Sequence, residues 1–195
     1  MKNNFKDIVD IFNEENNFLI VGHVGADGDS IGSVVALTRI LNKKNKNARA
    51  YLNRDTLAPF SFLKTEEEFF YTDQKKLEKD LDEQNYILVC LDSGNKDRVD
   101  LDEQIINKAK YIINIDHHED NSSFGKINLI DSNKAAVGEM IYNFAEDMLV
   151  EKIPLEIAEP MATGIITDTG ALRYENTDAE VLRILANLMD EGVDI

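Results

Sequence analysis

Apolar positions along the chain fall into short continuous runs, separated by longer stretches with helical spacing. Phe18-Leu19-Ile20-Val21-Gly22, Ala48-Arg49-Ala50-Tyr51-Leu52, Tyr86-Ile87-Leu88-Val89-Cys90-Leu91 and Tyr111-Ile112-Ile113-Asn114-Ile115 read as strands, and the shorter run from Lys126 to Ile130 follows them. Runs that stay apolar at successive positions mark strands covered on both faces of a parallel sheet. Ser30 to Leu41 predicts a helix with Ile31, Val34, Val35, Thr38 and Leu41 on one face. Lys134 to Met148 and Pro154 to Thr167 predict two more, the second with proline in its first turn. Thr177-Asp178-Ala179-Glu180 has the form of a capping box. It opens a last helix that buries Val181, Ile184, Leu185 and Leu188 and stops at Gly192. Asp55 to Lys76 shows only short helical pieces. The alternation predicts an α/β fold, a mostly parallel sheet of about five strands with helices on both faces.

At 195 residues and 43% hydrophobic, the chain can bury a real core. No apolar run approaches the roughly 20 residues of a membrane span. The first residues lack the apolar stretch and cleavage site of a signal peptide. The single cysteine, Cys90, lies in an apolar strand and reads as a buried structural residue. Together these features predict a reducing, cytoplasmic setting. A net charge of −16 repels long polyanions, and no basic stripe offers a track for a nucleic-acid backbone. An anionic substrate would be small and would need a local cation to attract it. Part of the acidity is solvated surface: Thr65-Glu66-Glu67-Glu68 and Glu78-Lys79-Asp80-Leu81-Asp82-Glu83 read as exposed helix or loop.

The candidate chemistry gathers where predicted strands end, the place where open α/β sheets bind ligands. His23, His117 and His118 each follow a strand, in segments rich in aspartate. From His23 to Ser33 the chain supplies an imidazole and the carboxylates of Asp27 and Asp29, with Gly28 expected to let the backbone turn tightly between them. Ser30 and Ser33 open the next helix, whose free N–H groups suit a phosphate oxygen. Asp92, in Leu91-Asp92-Ser93-Gly94, is an ordinary turn residue if taken alone. Asp116-His117-His118 is a stronger ligand signal. Asp168, in Thr163-Gly164-Ile165-Ile166-Thr167-Asp168-Thr169-Gly170, closes a helix and gains meaning only from the others. Carboxylates crowded into one crevice raise each other's pKa values, whereas divalent cations keep them ionised. Imidazole and carboxylate donors suit Mn²⁺, with Mg²⁺ or Co²⁺ compatible. Two such ions roughly 3.5–4 Å apart suit in-line displacement at phosphorus.

These four segments resemble the motifs of the DHH-family phosphoesterases, whose Asp-His-His run stands here as Asp116-His117-His118. Asp27-Gly28-Asp29-Ser30-Ile31-Gly32-Ser33 and Thr167-Asp168-Thr169-Gly170-Ala171-Leu172-Arg173-Tyr174 are most similar to the nanoRNase/pAp-phosphatase branch. The resemblance implies hydrolysis of very short oligoribonucleotides and of 3′-phosphoadenosine 5′-phosphate. It implies His23, Asp27 and Asp92 on a first metal ion, with Asp29, Asp92, His117 and Asp168 on a second. His118 would face the scissile phosphate or leaving group, Asp116 would orient an imidazole, and Arg173 is a candidate phosphate contact. Ala26 stands where the family commonly has proline and Leu172 where phenylalanine is frequent; neither change removes a ligand.

By the same resemblance, residues 1–188 correspond to the catalytic domain and 189–195 to the start of an interdomain linker. The family's C-terminal substrate-binding domain carries a Gly-rich, His-containing motif that these residues lack. The implied partner is a short RNA or a nucleoside bisphosphate, with neither long nucleic acid nor membrane, and a homodimer is left open. A cyclic-dinucleotide phosphodiesterase or an inorganic pyrophosphatase of the same superfamily would share the metal cage. A non-catalytic nucleotide-sensing module would keep the fold, but degenerate relatives usually lose ligands and none is lost here. Gly22, Gly25, Gly28 and Gly32 do not form the Gly-x-Gly-x-x-Gly of a dinucleotide site.

Overall fold

Successive side chains of a strand point to opposite faces, so a strand apolar at every position needs a core on each side. Strand β1 (Asn17–Val21) meets that condition: Phe18 and Ile20 enter one buried cluster, Leu19 and Val21 the other. The computed structural model describes residues 5–81, 85–149 and 152–195. Beside β1 lie β2 (Asn47–Tyr51), β3 (Phe70–Tyr71), β4 (Ile87–Leu91), β5 (Tyr111–Asp116) and β6 (Ile127–Ile130). They form a sheet in the order β3-β2-β1-β4-β5-β6, with every pairing parallel. Six strands stand where about five are expected from the pattern. The extra one is the two-residue β3, too short to show any periodicity.

In chain order the helices are α1 (Phe5–Glu14), α2 (Gly28–Lys43), α3 (Arg54–Leu57), α4 (Gln74–Asp80), α5 (Glu103–Lys108), α6 (Val137–Met148), α7 (Leu155–Asp168) and α8 (Ala179–Asp190). Helices α1, α2, α6, α7 and α8 cover one face of the sheet, and α4 and α5 cover the other. Each large aliphatic side chain so buried contributes about 1.5–3 kcal/mol. Helix α1 escapes the strand-centred reading, yet Phe5, Ile8 and Phe12 recur at helical spacing and pack on the core. Cys90 is buried on the α4–α5 side, where desolvation pushes its thiol pKa up, as expected of an inert structural cysteine.

The irregular stretch after β2 holds α3 and a 3₁₀ turn over Ala58–Leu63. Arg39 of α2 staples it to the body. Its buried guanidinium donates to the carbonyls of Leu63 and Lys64 at 2.9 and 2.8 Å, to Glu67 at 2.9 Å and to the Glu156 carbonyl at 2.6 Å. Glu78 to Asp80 belong to α4, whereas Asp82 and Glu83 lie outside the described residues. Helix α8 opens differently from the expected capping box. Asp178, not Thr177, is its N-cap, accepting the N–H groups of Glu180 and Val181 at 2.8 and 2.9 Å. A carboxylate adds dipole stabilisation that a hydroxyl lacks. Val193 packs on the core beyond the end of α8, within the segment expected to open a linker. No helix among the described residues is long and apolar enough to cross a membrane.

Helices α2 and α7 approach closely, and Gly164 permits it. A Cβ there would sit 2.6 Å from Asp29 Oδ1 and 3.2 Å from the Asp29 Cα. Because that Cα belongs to the α2 backbone, the neighbour cannot swing aside. Gly164→Ala is expected to cost about 1–3 kcal/mol, the usual range for overpacking. Urea unfolding of the purified variant measures it, and an unchanged midpoint would refute the close-approach argument.

Candidate metal centre

The strand order reverses at β1: the chain steps outward to β2 and β3, then returns to β4 on the other side. Such a switch point opens a crevice beyond the carboxyl ends of the two central strands. His23 follows β1, Asp92 follows β4, and Asp116-His117-His118 ends and follows β5. Asp27 is the N-cap of α2, Asp29 lies in its first turn, and Asp168 is the last residue of α7. The topology therefore delivers each candidate carboxylate and imidazole to one crevice.

Two overlapping clusters result. In the first, donor atoms of His23, Asp27 and Asp92 lie within 4.8 Å of one another. The His23 Nδ1–H donates to the Val24 carbonyl at 3.0 Å. That bond leaves Nε2 facing Asp92 Oδ2 at 3.4 Å and Asp27 Oδ1 at 3.9 Å. In the second, Asp29, His117 and Asp168 meet within 4.8 Å. Here the His117 Nδ1–H donates to the Lys134 carbonyl at 3.2 Å. Its Nε2 lies 3.2 Å from Asp168 Oδ2, 3.6 Å from Asp92 Oδ1 and 4.0 Å from Asp29 Oδ2. Asp92 touches both clusters, one oxygen toward each histidine.

Two properties of Asp92 test whether these residues fit a divalent ion. Its Oδ1 is buried with no hydrogen-bond partner among the described residues. A buried carboxylate oxygen left this way costs several kcal/mol unless a cation satisfies it, on the order of the penalty for an unpaired buried charge. Its backbone is also strained, with φ at +55°, a left-handed conformation that aspartate tolerates better than most residues. The oxygen-and-imidazole donor set suits a hard or borderline divalent ion, so the residues fit.

A third group joins Asp92 to Asp116, His117 and His118, but Asp116 is already saturated. It accepts the His117 N–H at 2.9 Å, the His118 Nδ1–H at 2.8 Å and the Asn121 side-chain amide at 2.5 Å. Asp116 thus holds the His118 imidazole by its Nδ1, and the Nε2 of half-exposed His118 has no hydrogen-bond partner among the described residues.

Desolvation would by itself raise the carboxyl pKa of Asp92, but the imidazoles of His117 and His23 overcome it and hold it well below the usual range. Asp27 and Asp92 push His23 up to about 10. Burial opposes charge on His117, yet Asp92, Asp29 and Asp168 raise it to about 9. Burial, with Asp92 and Asp168 nearby, drives Asp29 well above a normal carboxyl. Burial raises Asp168 to about 6. Protons therefore stand in for cations when no metal is bound.

Two expectations from the sequence are corrected. Ser30 and Ser33 are fully buried and cannot meet a substrate phosphate. Ser30 Oγ accepts the His23 N–H at 3.2 Å and Ser33 Oγ donates to Asp29 Oδ1 at 3.2 Å, so both position candidate ligands instead. Gly28 does not supply a turn. It is the first residue of α2, and a Cβ there would collide with Thr167 at 2.4 Å. Arg173, the candidate phosphate contact, is exposed and donates its Nε–H to the Gly170 carbonyl at 2.8 Å.

Asn114 and Asn121 were missed in the sequence. Asn114 is fully buried mid-strand, donating to the Cys90 and Ser93 carbonyls at 3.4 and 3.2 Å, and Asn121 bridges Asn114, Ser93 and Asp116. A lone amide inside Ile-Ile-Asn-Ile was the available signal.

Because the raised pKa values leave both histidines protonated near neutrality, a metal ion must displace those protons to bind. Apparent affinity is expected to rise with pH across the neutral range and fall in acid. Calorimetry of Mn²⁺ binding in buffers of different ionisation enthalpy reads the proton release, and a heat independent of buffer would contradict it.

With this geometry established, comparison with known proteins gives its lineage. The chain is 39% identical over 182 residues to the bifunctional oligoribonuclease and PAP phosphatase of Thermus thermophilus, covering 93% of this chain and 52% of that protein. It is 29% identical over 169 residues to the Bacillus subtilis protein of the same description, covering 86% of this chain and 50% of that one. It thus spans about half the length of these curated relatives. A crystal structure of an exopolyphosphatase-related protein from Bacteroides fragilis superposes with a TM-score of 0.84 at 24% identity, covering 97% of this chain and 57% of that one. It therefore attests the fold alone. Residues 17–165 match the DHH family, N-terminal domain, and the chain belongs to that family.

Proposed function

We propose that the chain is a two-metal phosphoesterase domain hydrolysing very short oligoribonucleotides and 3′-phosphoadenosine 5′-phosphate. The observation that carries this reading is Asp92, a buried carboxylate between two imidazoles with one oxygen unsatisfied. His23, Asp27 and Asp92 would hold one divalent ion and Asp29, Asp92, His117 and Asp168 the other, with Mn²⁺ the favoured metal. When bound, the ions supply a water of lowered pKa and neutralise charge on the phosphoryl oxygens. His118 then does the remaining acid–base work. With Asp116 holding its Nδ1–H, its Nε2 can carry a proton to the departing oxygen.

Support for the substrate class comes from the relatives described as oligoribonucleases and PAP phosphatases, and from charge. A chain of net charge −16 repels long polyanions, so small anions drawn by local metal charge fit best. The additional length of the relatives would hold a substrate-selecting surface, residues 1–188 serving as the catalytic domain. A cytoplasmic location accords with the single buried thiol.

A panel of dinucleotide, 3′-phosphoadenosine 5′-phosphate, cyclic dinucleotide and pyrophosphate, assayed with Mn²⁺, tests the assignment. Turnover of the first two is expected, and hydrolysis of pyrophosphate alone would overturn it. His118→Ala should lower kcat by about 10²–10⁴-fold, the range for a general acid, while Mn²⁺ binding persists. Asp92→Ala should abolish metal binding and turnover together.

A further inference from the structure

The ligands of the second cluster lie far apart in the sequence, yet one short segment holds all of them. The Lys134 carbonyl accepts the His117 Nδ1–H at 3.2 Å. The N–H groups of Val137 and Gly138 donate to the two oxygens of Asp29 at 2.6 and 2.8 Å. The side-chain amide of Asn176 donates both to the Ala135 carbonyl at 3.3 Å and to the Asp168 carbonyl at 3.1 Å. His117 and Asp29 thus hang directly on residues 134–138, and Asp168 is tied to them through Asn176. Neither His23 nor Asp27, the ligands peculiar to the first cluster, has a hydrogen bond to this segment among the described residues.

The segment is itself pinned by charge. Lys134 Nζ donates at 2.7 Å to Glu139 of α6 and at 2.7 Å to Glu180 of α8. Glu139, 2% exposed at its side chain, accepts the Ala135 N–H on its other oxygen at 3.0 Å. An ion pair this deep has definite geometry, unlike an exposed pair worth little. Its effect is to fold residues 134–138 onto the first turn of α6 and to tie that turn to α8.

We propose that Lys134, Glu139 and Glu180 are positioning residues that set the affinity of the second metal position selectively, through the segment 134–138. The inference rests on the two-metal reading above and adds to it a division of labour: the first position is organised locally around β1, the second from α6 and α8. None of the three side chains contacts the clustered donor atoms; they act through the backbone that orients His117 and Asp29. Groups that orient ligands from behind typically change metal affinity by about 10–100-fold when removed.

The test uses Lys134→Met and Glu180→Gln. Glu180 is half exposed, so its loss spares the fold, and metal-free thermal melts of both variants establish that they are folded. Stepwise Mn²⁺ affinities come from calorimetry and from the electron paramagnetic resonance signal of coupled Mn²⁺ pairs. The ¹⁵N shifts of His117 report whether Nδ1 still carries the proton. Lys134→Met should weaken the second ion by about 10–100-fold with the first unchanged, and should perturb the His117 shifts. Glu180→Gln should do the same to a lesser degree. Equal weakening of both ions, or of neither, overturns the proposal. Fewer than two ions bound by the parent protein would overturn the two-metal reading and this inference with it, and is seen before any variant is made.

Discussion

Asp92 brings a carboxylate to a place where the chain gives one of its oxygens no partner, while four other aspartates converge on the same crevice. Most of the surrounding structure follows from keeping those charges together. Apolar strands can bury both faces of a sheet, but they cannot compensate charge at their ends. The imidazoles of His23 and His117 partly do so, which is why both sit far above an ordinary histidine pKa and Asp92 far below an ordinary carboxyl. Asp29 and Asp168 take the opposite course, shifted upward as burial and neighbouring carboxylates favour their protonated forms. A crevice that holds its own protons so awkwardly is predisposed to exchange them for cations.

Rigidity is the second condition, since like charges relax apart wherever the backbone allows. The left-handed φ of Asp92 is held by the Asp92 N–H donating to the Ile115 carbonyl at 3.0 Å. Asp29 is seated on the free N–H groups at the start of α6 and enclosed by Gly164, whose missing side chain leaves just enough room. Helix ends and close glycine contacts, ordinarily matters of packing, here fix the direction of a carboxylate.

Much of this was legible in the sequence. Double-faced apolar runs gave the parallel sheet, and aspartate and histidine at strand ends marked the crevice. What stayed hidden depends on distance along the chain. Nothing about Ser30 and Ser33 announces that one helix turn buries them, because the occluding surfaces belong to other elements. Gly28 reads locally as a turn residue, yet its neighbour in space is Thr167. Strand β3 has only two residues, so alternation had no room to appear. Asn114 alone could have been caught, because an amide inside a buried apolar strand must be hydrogen-bonded to something specific.

The three histidines show how little would separate a metal ligand from a general acid under the proposed function. Each has its Nδ1 engaged, so each presents Nε2 outward. For His23 and His117 the acceptor is a neutral carbonyl, of Val24 and Lys134. That partner fixes the tautomer without stabilising a second proton once the nearby carboxylates are neutralised. For His118 the acceptor is the Asp116 carboxylate at 2.8 Å, which raises its pKa at close range. Cations placed among Asp27, Asp92 and Asp168 remove the reason for the first two imidazoles to stay charged, while His118 keeps its own counter-charge. Adjacent residues His117 and His118 therefore diverge in chemistry because one faces a carbonyl and its neighbour faces a carboxylate, a difference of acceptor rather than of residue type.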